Sequence, residues 1–313
     1  MAVGPVTIAR PAPVEGRPVT LRGLLEREGV FSWLMLAPGI LFLLAFVAYP
    51  FFYGIYLSLL ERRVATPGIF VGLANFRTLA HDAVFWQVTG NTFKYVALTT
   101  VFKLTGGLGM ALVMNQHFRG KNLVRAALLL PFIVPTALST VAWMWILDPT
   151  FSIVNWLLVH GGVITSGYSW LGNATLAMWS LIVVNTWRGM PFYGITLLAG
   201  LQTINPDLHE AASLDGANGW QRFWHVTWPL LKPVTLVVVV FSIIQTFSDF
   251  QLIYVLTGGG PANATHLLAT YAYQVGVATG LLGEGAAISL FMLPVLFVVV
   301  WVQLRYLRRL EGA

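Results

Sequence analysis

Three ionisable side chains interrupt apolar segments of this sequence, and they are its clearest candidates for chemistry. Lys103, Arg188 and Asp249 each lie in a run of residues that is otherwise free of Asp, Glu, Lys and Arg. A charge at the centre of a membrane helix costs about 2.5–3.5 kcal/mol on insertion scales, so by default it marks a functional face. Lys103 lies deep in its segment and receives no specific role from the sequence, whereas Lys94, at the edge of the same segment, is expected to extend to the membrane interface.

The surroundings of Arg188 and Asp249 suggest a pathway for a hydroxylated solute. Amides beside the two charges could hydrogen-bond hydroxyl groups, and nearby aromatic rings could stack on a sugar-like ring face. The candidate pathway residues are Trp143, Asn185, Trp187, Arg188, Gln245, Asp249 and Tyr254. The alternative is a structural pair between helices. The two charges lie about 14 and 7 residues from the outer ends of their segments, a depth difference of about 10 Å, so a direct pair requires an extended arginine.

Enzyme motifs fail on inspection. His209-Glu210 begins like the zinc-protease motif HExxH, but Ser213 occupies the position of the second histidine. Gly120-Lys121 lacks both the upstream glycine and the following Ser or Thr of a phosphate-binding loop. The chain has no cysteine, and its six histidines are scattered without metal-ligand spacing. The sequence therefore predicts a protein that is not an enzyme and holds no metal.

The composition is that of a membrane protein. Of 313 residues, 10% are charged and 57% are hydrophobic, whereas a soluble domain carries about 25% charged residues. The mean hydropathy is +0.74. These values exclude a disordered chain, a disulfide scaffold and an ordinary cytosolic enzyme.

Long apolar runs predict an all-α polytopic membrane protein with six transmembrane helices, because a spanning helix needs about 20 mostly apolar residues. The runs are continuously apolar, which favours helices over the alternating strands of a barrel. The predicted spans are residues 30–60, 95–114, 126–147, 174–201, 233–256 and 285–304. In the second span, Gly107 and Ala111 have the spacing of a helix-packing contact.

The distribution of Lys and Arg predicts that both termini are cytoplasmic. With the N-terminus inside, twelve of the 18 basic residues fall in cytoplasmic segments and three in external ones, as the positive-inside rule requires. This distribution accounts for the basic isoelectric point without nucleic acid. Residues 1–29 are predicted to be a mostly disordered cytoplasmic tail, in which residues 21–28 could form an interfacial helix. The apolar run behind the tail is too long for a cleavable signal peptide. Residues 30–313 are the predicted membrane domain.

The cytoplasmic loop between the fourth and fifth spans, residues 202–232, is unusually long for a helical bundle. Asn205-Pro206-Asp207 predicts a helix start, with a capping residue, a proline and an acidic group in order. Gly216 then permits a sharp turn, because glycine readily adopts positive φ. A second short helix is predicted around residues 219–226, closed by Pro229 and Pro233 before the fifth span. Such an elbow is suited to docking on another protein; the alternative is a solvated hairpin.

Several motifs resemble one family. Glu210-Ala211-Ala212, Asp215-Gly216-Ala217 and, thirteen residues after that glycine, Pro229-Leu230-Leu231-Lys232-Pro233 resemble the "EAA loop" in membrane subunits of binding-protein-dependent ABC importers. The chain is also similar to the carbohydrate-type permeases of that family, the maltose and glycerol-phosphate kind, over roughly residues 31–306. Val226 and Trp228 depart from the family's usual Ile and Leu but remain apolar. The further motifs that carry this resemblance are Ala37-Pro38-Gly39, Tyr49-Pro50, Gly72-Leu73-Ala74-Asn75-Phe76, Asn91-Thr92 and Thr257-Gly258-Gly259-Gly260-Pro261.

The resemblance implies a permease subunit of an ATP-driven importer for a sugar, oligosaccharide or polyol in the bacterial cytoplasmic (inner) membrane. The implied partners are a second, similar permease, two cytoplasmic ATPases and an external solute-binding protein. ATP and magnesium would be bound by the ATPases, with no cofactor in this chain. The implied ATPase-coupling residues are Glu210, Ala211, Ala212, Asp215, Gly216, Arg222 and Pro229. The alternative function is a stand-alone secondary carrier or channel for a small hydroxylated solute.

Overall fold

The computed structural model describes residues 28–311, and helices dominate that part of the chain. The helices are α1 (Glu28–Leu43), α2 (Tyr49–Ser58), α3 (Ala74–His81), α4 (Ala83–Asn115), α5 (Lys121–Ile133), α6 (Thr136–Ile146), α7 (Ile153–His160), α8 (Ala174–Gln202), α9 (Pro206–Leu214), α10 (Gly219–Arg222), α11 (Trp228–Phe247), α12 (Gln251–Leu256), α13 (Leu268–Tyr273) and α14 (Leu282–Glu311). Three π-helical turns, at Leu44–Ala48, Phe223–Thr227 and Gln274–Ala278, join neighbouring helices. One short antiparallel hairpin, not predicted, pairs β1 (Leu60–Glu61) with β2 (Ile69–Phe70).

The chain divides into two compact units, residues 1–53 and 54–313. In the described part of the first unit, α1 and a π-helical turn lead into α2. The helical stretch Ser32–Ser58 is long and apolar enough to cross a membrane, as predicted for residues 30–60. The predicted tail, apart from its last two residues, and most of the interfacial helix at residues 21–28 lie outside the described range.

Three further helices of the second unit are long and apolar enough to cross a membrane. They are Ala83–Asn115, Gly219–Phe247 and Leu282–Tyr306. The first and the last contain the predicted second and sixth spans, which are confirmed as helices. The predicted start of the second span was too late, because α4 begins twelve residues earlier, where the Asp82 side chain accepts a hydrogen bond from the Val84 amide.

The third predicted span is not one straight helix. α5 and α6 together cover it, but they are bent by 96° at Val134 and Pro135. Proline has no N–H to donate, and its ring disfavours the helical conformation of the preceding residue. Val134 accordingly has an extended backbone. The prediction counted apolar residues and missed this break.

The fourth predicted span, residues 174–201, is helical over its whole predicted length. α8 begins after Asn173, whose side chain accepts hydrogen bonds from the Thr175 and Leu176 amides. α8 packs along α4, where Gly107 lies against Tyr193 and the backbone of Gly194. Because Gly107 has no Cβ, the two backbones can approach closely. Gly107 and Ala111 are both buried, so their predicted role in helix packing is confirmed.

The fifth predicted span has different bounds from those expected. Helical structure runs without interruption from Gly219 to Phe247, through the π-helical turn and past Pro229 and Pro233. The predicted separate helix at residues 219–226 is therefore the start of this long helix. The two prolines do not end it: each removes only one backbone donor, and the π-helical turn at Phe223–Thr227 lies just before Pro229. At its other end the helix stops at Phe247, and α12 is a separate helix.

The glycine-rich turn after α12 is built around a buried histidine. His266 is 6% exposed, and one of its ring nitrogens lies 3.1 Å from the Thr270 hydroxyl. A Cβ at Gly259, where φ is +89°, would collide with the imidazole ring. This glycine is therefore required both for its backbone conformation and for the space that the ring occupies.

We expect Gly107→Ala to lower the unfolding free energy by about 1–3 kcal/mol, because the added methyl group overpacks the contact between α4 and α8. Gly109→Ala on the same helix is the matched control, since its Cβ would meet nothing within 4 Å. Thermal unfolding in detergent measures both. Equal melting temperatures for the two variants would show that this contact tolerates a side chain.

Stability should fall as the pH drops below about 6.5. Burial lowers the pKa of His266 below its usual value of 6.5, because a buried site disfavours the charged imidazolium. The unfolded chain then takes up the proton first, so acidification favours unfolding. We expect His266→Gln to lose less stability than the unsubstituted protein between pH 7.5 and pH 5.5 in thermal unfolding; an identical loss would exclude His266 as a cause.

Candidate functional site

The charged residues singled out in the fourth and fifth predicted spans form an ion pair. Arg188 Nη2 lies 3.6 Å from Asp249 Oδ2, and the arginine side chain is 27% exposed while that of the aspartate is 5% exposed. The expected difference in depth assumed that Asp249 belongs to a continuous fifth helix. Instead it follows the end of α11 at Phe247, so its position is set by the break between α11 and α12.

Asp249 accepts two further hydrogen bonds at the same oxygen. Asn185 Nδ2 donates at 2.7 Å, and Tyr95 Oη donates at 3.1 Å. Both donors are essentially fully buried, on α8 and α4 respectively. The sequence identified Asn185 but missed Tyr95, because a tyrosine in an apolar helix carries no pattern that distinguishes a buried donor from a packing residue. The carboxylate thus joins three separate segments of the chain.

Arg188 also donates from Nη1 to the Thr136 hydroxyl, at the start of α6. The bend between α5 and α6 is what brings Thr136 to this position. The guanidinium group therefore connects the bent pair to the carboxylate. The sequence did not predict the contact between Arg188 and Thr136, because the third span was expected to be a straight helix.

Lys103, which the sequence left without a role, is 4% exposed and belongs to the same region. Its ammonium group donates a hydrogen bond of 3.0 Å to the Thr246 hydroxyl on α11. A Cβ at Gly189 would clash with the end of the lysine side chain, so this glycine makes room for it. Lys103 is thus held between α4, α8 and α11.

Of these residues, Lys103, Thr136, Arg188 and Thr246 line a cavity of about 230 Å³. Its wall contains both polar and aromatic side chains. The lining residues are Lys103, Phe132, Val134, Thr136, Arg188, Gly189, Phe192, Phe241, Ser242, Gln245 and Thr246. A cavity with a few converging polar groups on an apolar wall is the usual form of a small-molecule site.

Only some of the other predicted pathway residues line this cavity. Gln245 lines it. Trp143 and Trp187 contact each other edge to face at 5.5 Å but are not among its lining residues. Tyr254 is 47% exposed and stacks on Phe250, with ring centroids 5.0 Å apart. The structure therefore brings Arg188, Asp249, Asn185 and Gln245 together and leaves Tyr254 outside the group.

The loop at residues 202–232 has the predicted elbow. Asn205 caps α9, and Gly216 has φ +82°. The Gly216 amide donates to Ser213 O and the Ala217 amide to Ala212 O, the paired bonds of a Schellman motif. Asn218 then forms a capping box with Gln221 at the start of α10. The predicted helix start and the positive φ at Gly216 are confirmed.

The elbow is held internally but has little contact with the rest of the protein. Arg222 donates from Nη1 to the Ser213 hydroxyl at 2.7 Å, which ties its two arms together. No residue of α9 is buried, and the side chain of Leu214 is 89% exposed. Glu210 and Asp215 are exposed, and within the described residues their carboxylates have no hydrogen bond or ion pair. This surface offers small, apolar and acidic groups to a partner.

Comparison with known proteins identifies relatives that cover most of this chain. Residues 103–312 match the family described as "Binding-protein-dependent transport system inner membrane component". The "Trehalose/maltose transport system permease protein MalF" of Thermococcus litoralis is 35% identical over 289 residues, covering 91% of this chain and 97% of that protein. The "Trehalose transport system permease protein SugA" of Mycobacterium tuberculosis is 31% identical over 278 residues, covering 88% of each.

A similar fold is found in a solved structure. A chain in the crystal structure of a bacterial ABC transporter involved in the import of the acidic polysaccharide alginate has a TM-score of 0.79 with this chain. The two are 24% identical, and the match covers 92% of this chain and 98% of that one. At this identity, the likeness concerns the fold.

We expect Asp249→Asn to lower the unfolding free energy by about 1–3 kcal/mol, because it leaves the Arg188 guanidinium without a counter-charge in a mostly buried site. Adding Arg188→Gln should recover part of the loss. Asp215→Asn, the same change at an exposed carboxylate, is the control. Thermal unfolding of the four proteins in detergent measures these effects; a double variant less stable than Asp249→Asn would contradict the pairing.

Proposed function

Because this chain belongs to the family of binding-protein-dependent transport system inner membrane components, we propose a defined role for it. It is the membrane-spanning permease subunit of an ATP-driven ABC importer for a sugar, oligosaccharide or polyol. It forms half of the translocation pathway, and a second, similar permease forms the other half. The names of the relatives, which refer to trehalose and maltose transport, support a carbohydrate substrate.

The proposed complex contains three further kinds of subunit. Besides the second permease, it includes two cytoplasmic ATPases and an extracytoplasmic solute-binding protein. The ATPases bind ATP and magnesium and hydrolyse the nucleotide, so this chain is not itself an enzyme. A related fold has been solved together with a periplasmic protein that carries an alginate pentasaccharide, which supports a binding protein as a partner.

The proposed membrane arrangement has six spans with both termini in the cytoplasm of a bacterium. The four long apolar helices supply four of them. The bent pair α5 and α6 supplies the third span, and α8, with 29 residues, supplies the fourth. A helix of that length rises about 43 Å, more than the roughly 30 Å of a hydrocarbon core. The cavity then lies within the membrane domain, as a solute pathway requires.

One observation carries the coupling part of this proposal: the elbow and the cavity are joined by a single continuous helix. That helix begins at Gly219, beside the elbow, and ends at Phe247, next to Asp249. Ser242, Gln245 and Thr246 on it line the cavity. In this proposal the continuous helix transmits a displacement of one end to the other, so that an ATPase that moves the elbow also moves one wall of the cavity.

The elbow is proposed to be the surface on which an ATPase docks. Ala211 and Ala212 permit close approach, and Glu210 and Asp215 are available for hydrogen bonds or ion pairs with basic groups of the partner. Gly216 sets the angle of the elbow. Arg222 and Pro229 are proposed to support the elbow from within this chain and not to contact the ATPase. Arg222 does so by donating a hydrogen bond to Ser213, which holds the two arms of the elbow together.

Reconstitution tests the function directly. The chain, purified with its co-expressed partner subunits and placed in proteoliposomes, should take up radiolabelled trehalose or maltose only when ATP and the binding protein are present. Uptake by this chain alone and without ATP would establish the stand-alone carrier instead. Failure of the chain to purify with any ATPase would also contradict the importer.

We expect Gly216→Arg to abolish ATP-coupled uptake while leaving the subunit inserted in the membrane. The substitution strains a backbone at φ +82° and places a bulky side chain on the docking surface. Gly120→Arg is a matched control, because Gly120 has φ +83° and is equally open, but lies outside the elbow. Uptake and membrane insertion are measured for both, and equal uptake would exclude a special role for the elbow.

A further inference from the structure

The cavity between α4, α8 and α11 has more positive than negative charge, and this excess suggests what it binds. We propose that Lys103 and Arg188 form a subsite for a negatively charged group, a carboxylate or a sulfonate, on a hydroxylated substrate. The inference rests on the proposed function, because the charged group would belong to the transported solute. Among the sugars and polyols of that proposal, it predicts a preference for those that carry an acidic group.

The charges of the described residues around the cavity do not balance. Two cationic side chains, Lys103 and Arg188, line it. In this part of the protein, the carboxylate within ion-pair distance of either cation is that of Asp249, and its partner is Arg188. The same carboxylate oxygen already accepts hydrogen bonds from Tyr95 and Asn185. These contacts all go to Oδ2, and in the described part of the protein no hydrogen bond or ion pair joins the Lys103 ammonium group to this carboxylate.

The Lys103 ammonium group has one described hydrogen bond, to the neutral Thr246 hydroxyl. An ammonium group has three donors, so two remain for a ligand. Thr246 itself lines the cavity, which places the ammonium group at the cavity wall. Among the described residues no carboxylate lies within ion-pair distance of Lys103, so the entry of an anion lowers the cost of burying its charge.

The remaining wall is suited to a hydroxylated ring that carries the charge. Thr136, Ser242 and Gln245 offer polar atoms, whereas Phe132, Phe192 and Phe241 offer aromatic surface. The volume of about 230 Å³ is below the roughly 300–1,000 Å³ of sites that enclose whole drug-sized ligands. The cavity therefore fits one sugar-sized unit, and a longer substrate would extend beyond it.

Glucose and glucuronate are suitable probes, because they differ only in the carboxylate that replaces the terminal CH₂OH group. The permease–ATPase complex, without binding protein, is placed in nanodiscs, and both affinities are measured by saturation-transfer NMR titration at constant ionic strength. We expect glucuronate to bind about tenfold more tightly than glucose, the effect of one hydrogen bond to a charged group.

Two substitutions at Lys103 separate charge from hydrogen bonding. Lys103→Met removes both, and Lys103→Gln removes the charge but keeps a donor for Thr246. Both should abolish the preference for glucuronate over glucose, whereas Lys94→Gln, at an exposed position on the same helix, should keep the preference. Glucuronate that binds no better than glucose, or a preference that survives Lys103→Met, would overturn the proposal.

ATP-driven uptake by the same preparations keeps this inference separable from the proposed function. ATP-dependent sugar uptake without any preference for glucuronate would refute the anion subsite alone. Conversely, a preference for glucuronate that depends on Lys103, in a protein that transports without ATP, would support the subsite and refute the proposed ATP-driven import.

Discussion

The membrane domain depends on the requirement that a charge removed from water must be compensated where it lies. Asp249 meets this requirement by accepting hydrogen bonds from Tyr95 on α4 and Asn185 on α8 and by pairing with Arg188. A single carboxylate oxygen therefore holds together segments that are far apart in sequence. Replacing such a group by an apolar one is often harmless to stability, whereas removing one partner is costly. The cluster consequently fixes the positions of α4, α8 and the break after Phe247 relative to one another.

The cavity and the elbow are two specialised regions that are stabilised by different interactions. The cavity wall includes the buried polar side chains of Lys103, Ser242 and Thr246, so its properties depend on unbalanced charge in a region of reduced dielectric. The elbow is exposed, and its shape comes from local backbone bonding at Gly216 and Asn218 rather than from packing. Local bonding allows a surface element to keep its shape while its outer face remains free for another protein. The helix Gly219–Phe247 connects the two regions without a break.

Much of the local structure was predictable, because it follows from nearest neighbours. The capping residue Asn205, the turn at Gly216 and the packing role of Gly107 all depend on a few adjacent or helically spaced residues. Errors occurred where prolines had to be interpreted. Pro135 breaks the third predicted span, whereas Pro229 and Pro233 do not stop the fifth helix. A proline's effect depends on whether neighbouring backbone groups find other partners, and composition does not contain that information.

The amino-acid sequence by itself determined that the chain enters a membrane, where its apolar segments lie and how the elbow turns, because hydropathy, charge distribution and capping are local properties. Its motifs also indicated the family. Only the tertiary structure decided that Arg188 and Asp249 are paired, that Tyr95 and Thr136 join them and that Lys103 faces the same cavity. These contacts connect residues up to 154 positions apart. Their formation depends on the bend at Pro135 and the break after Phe247, which set the directions of the helices in space.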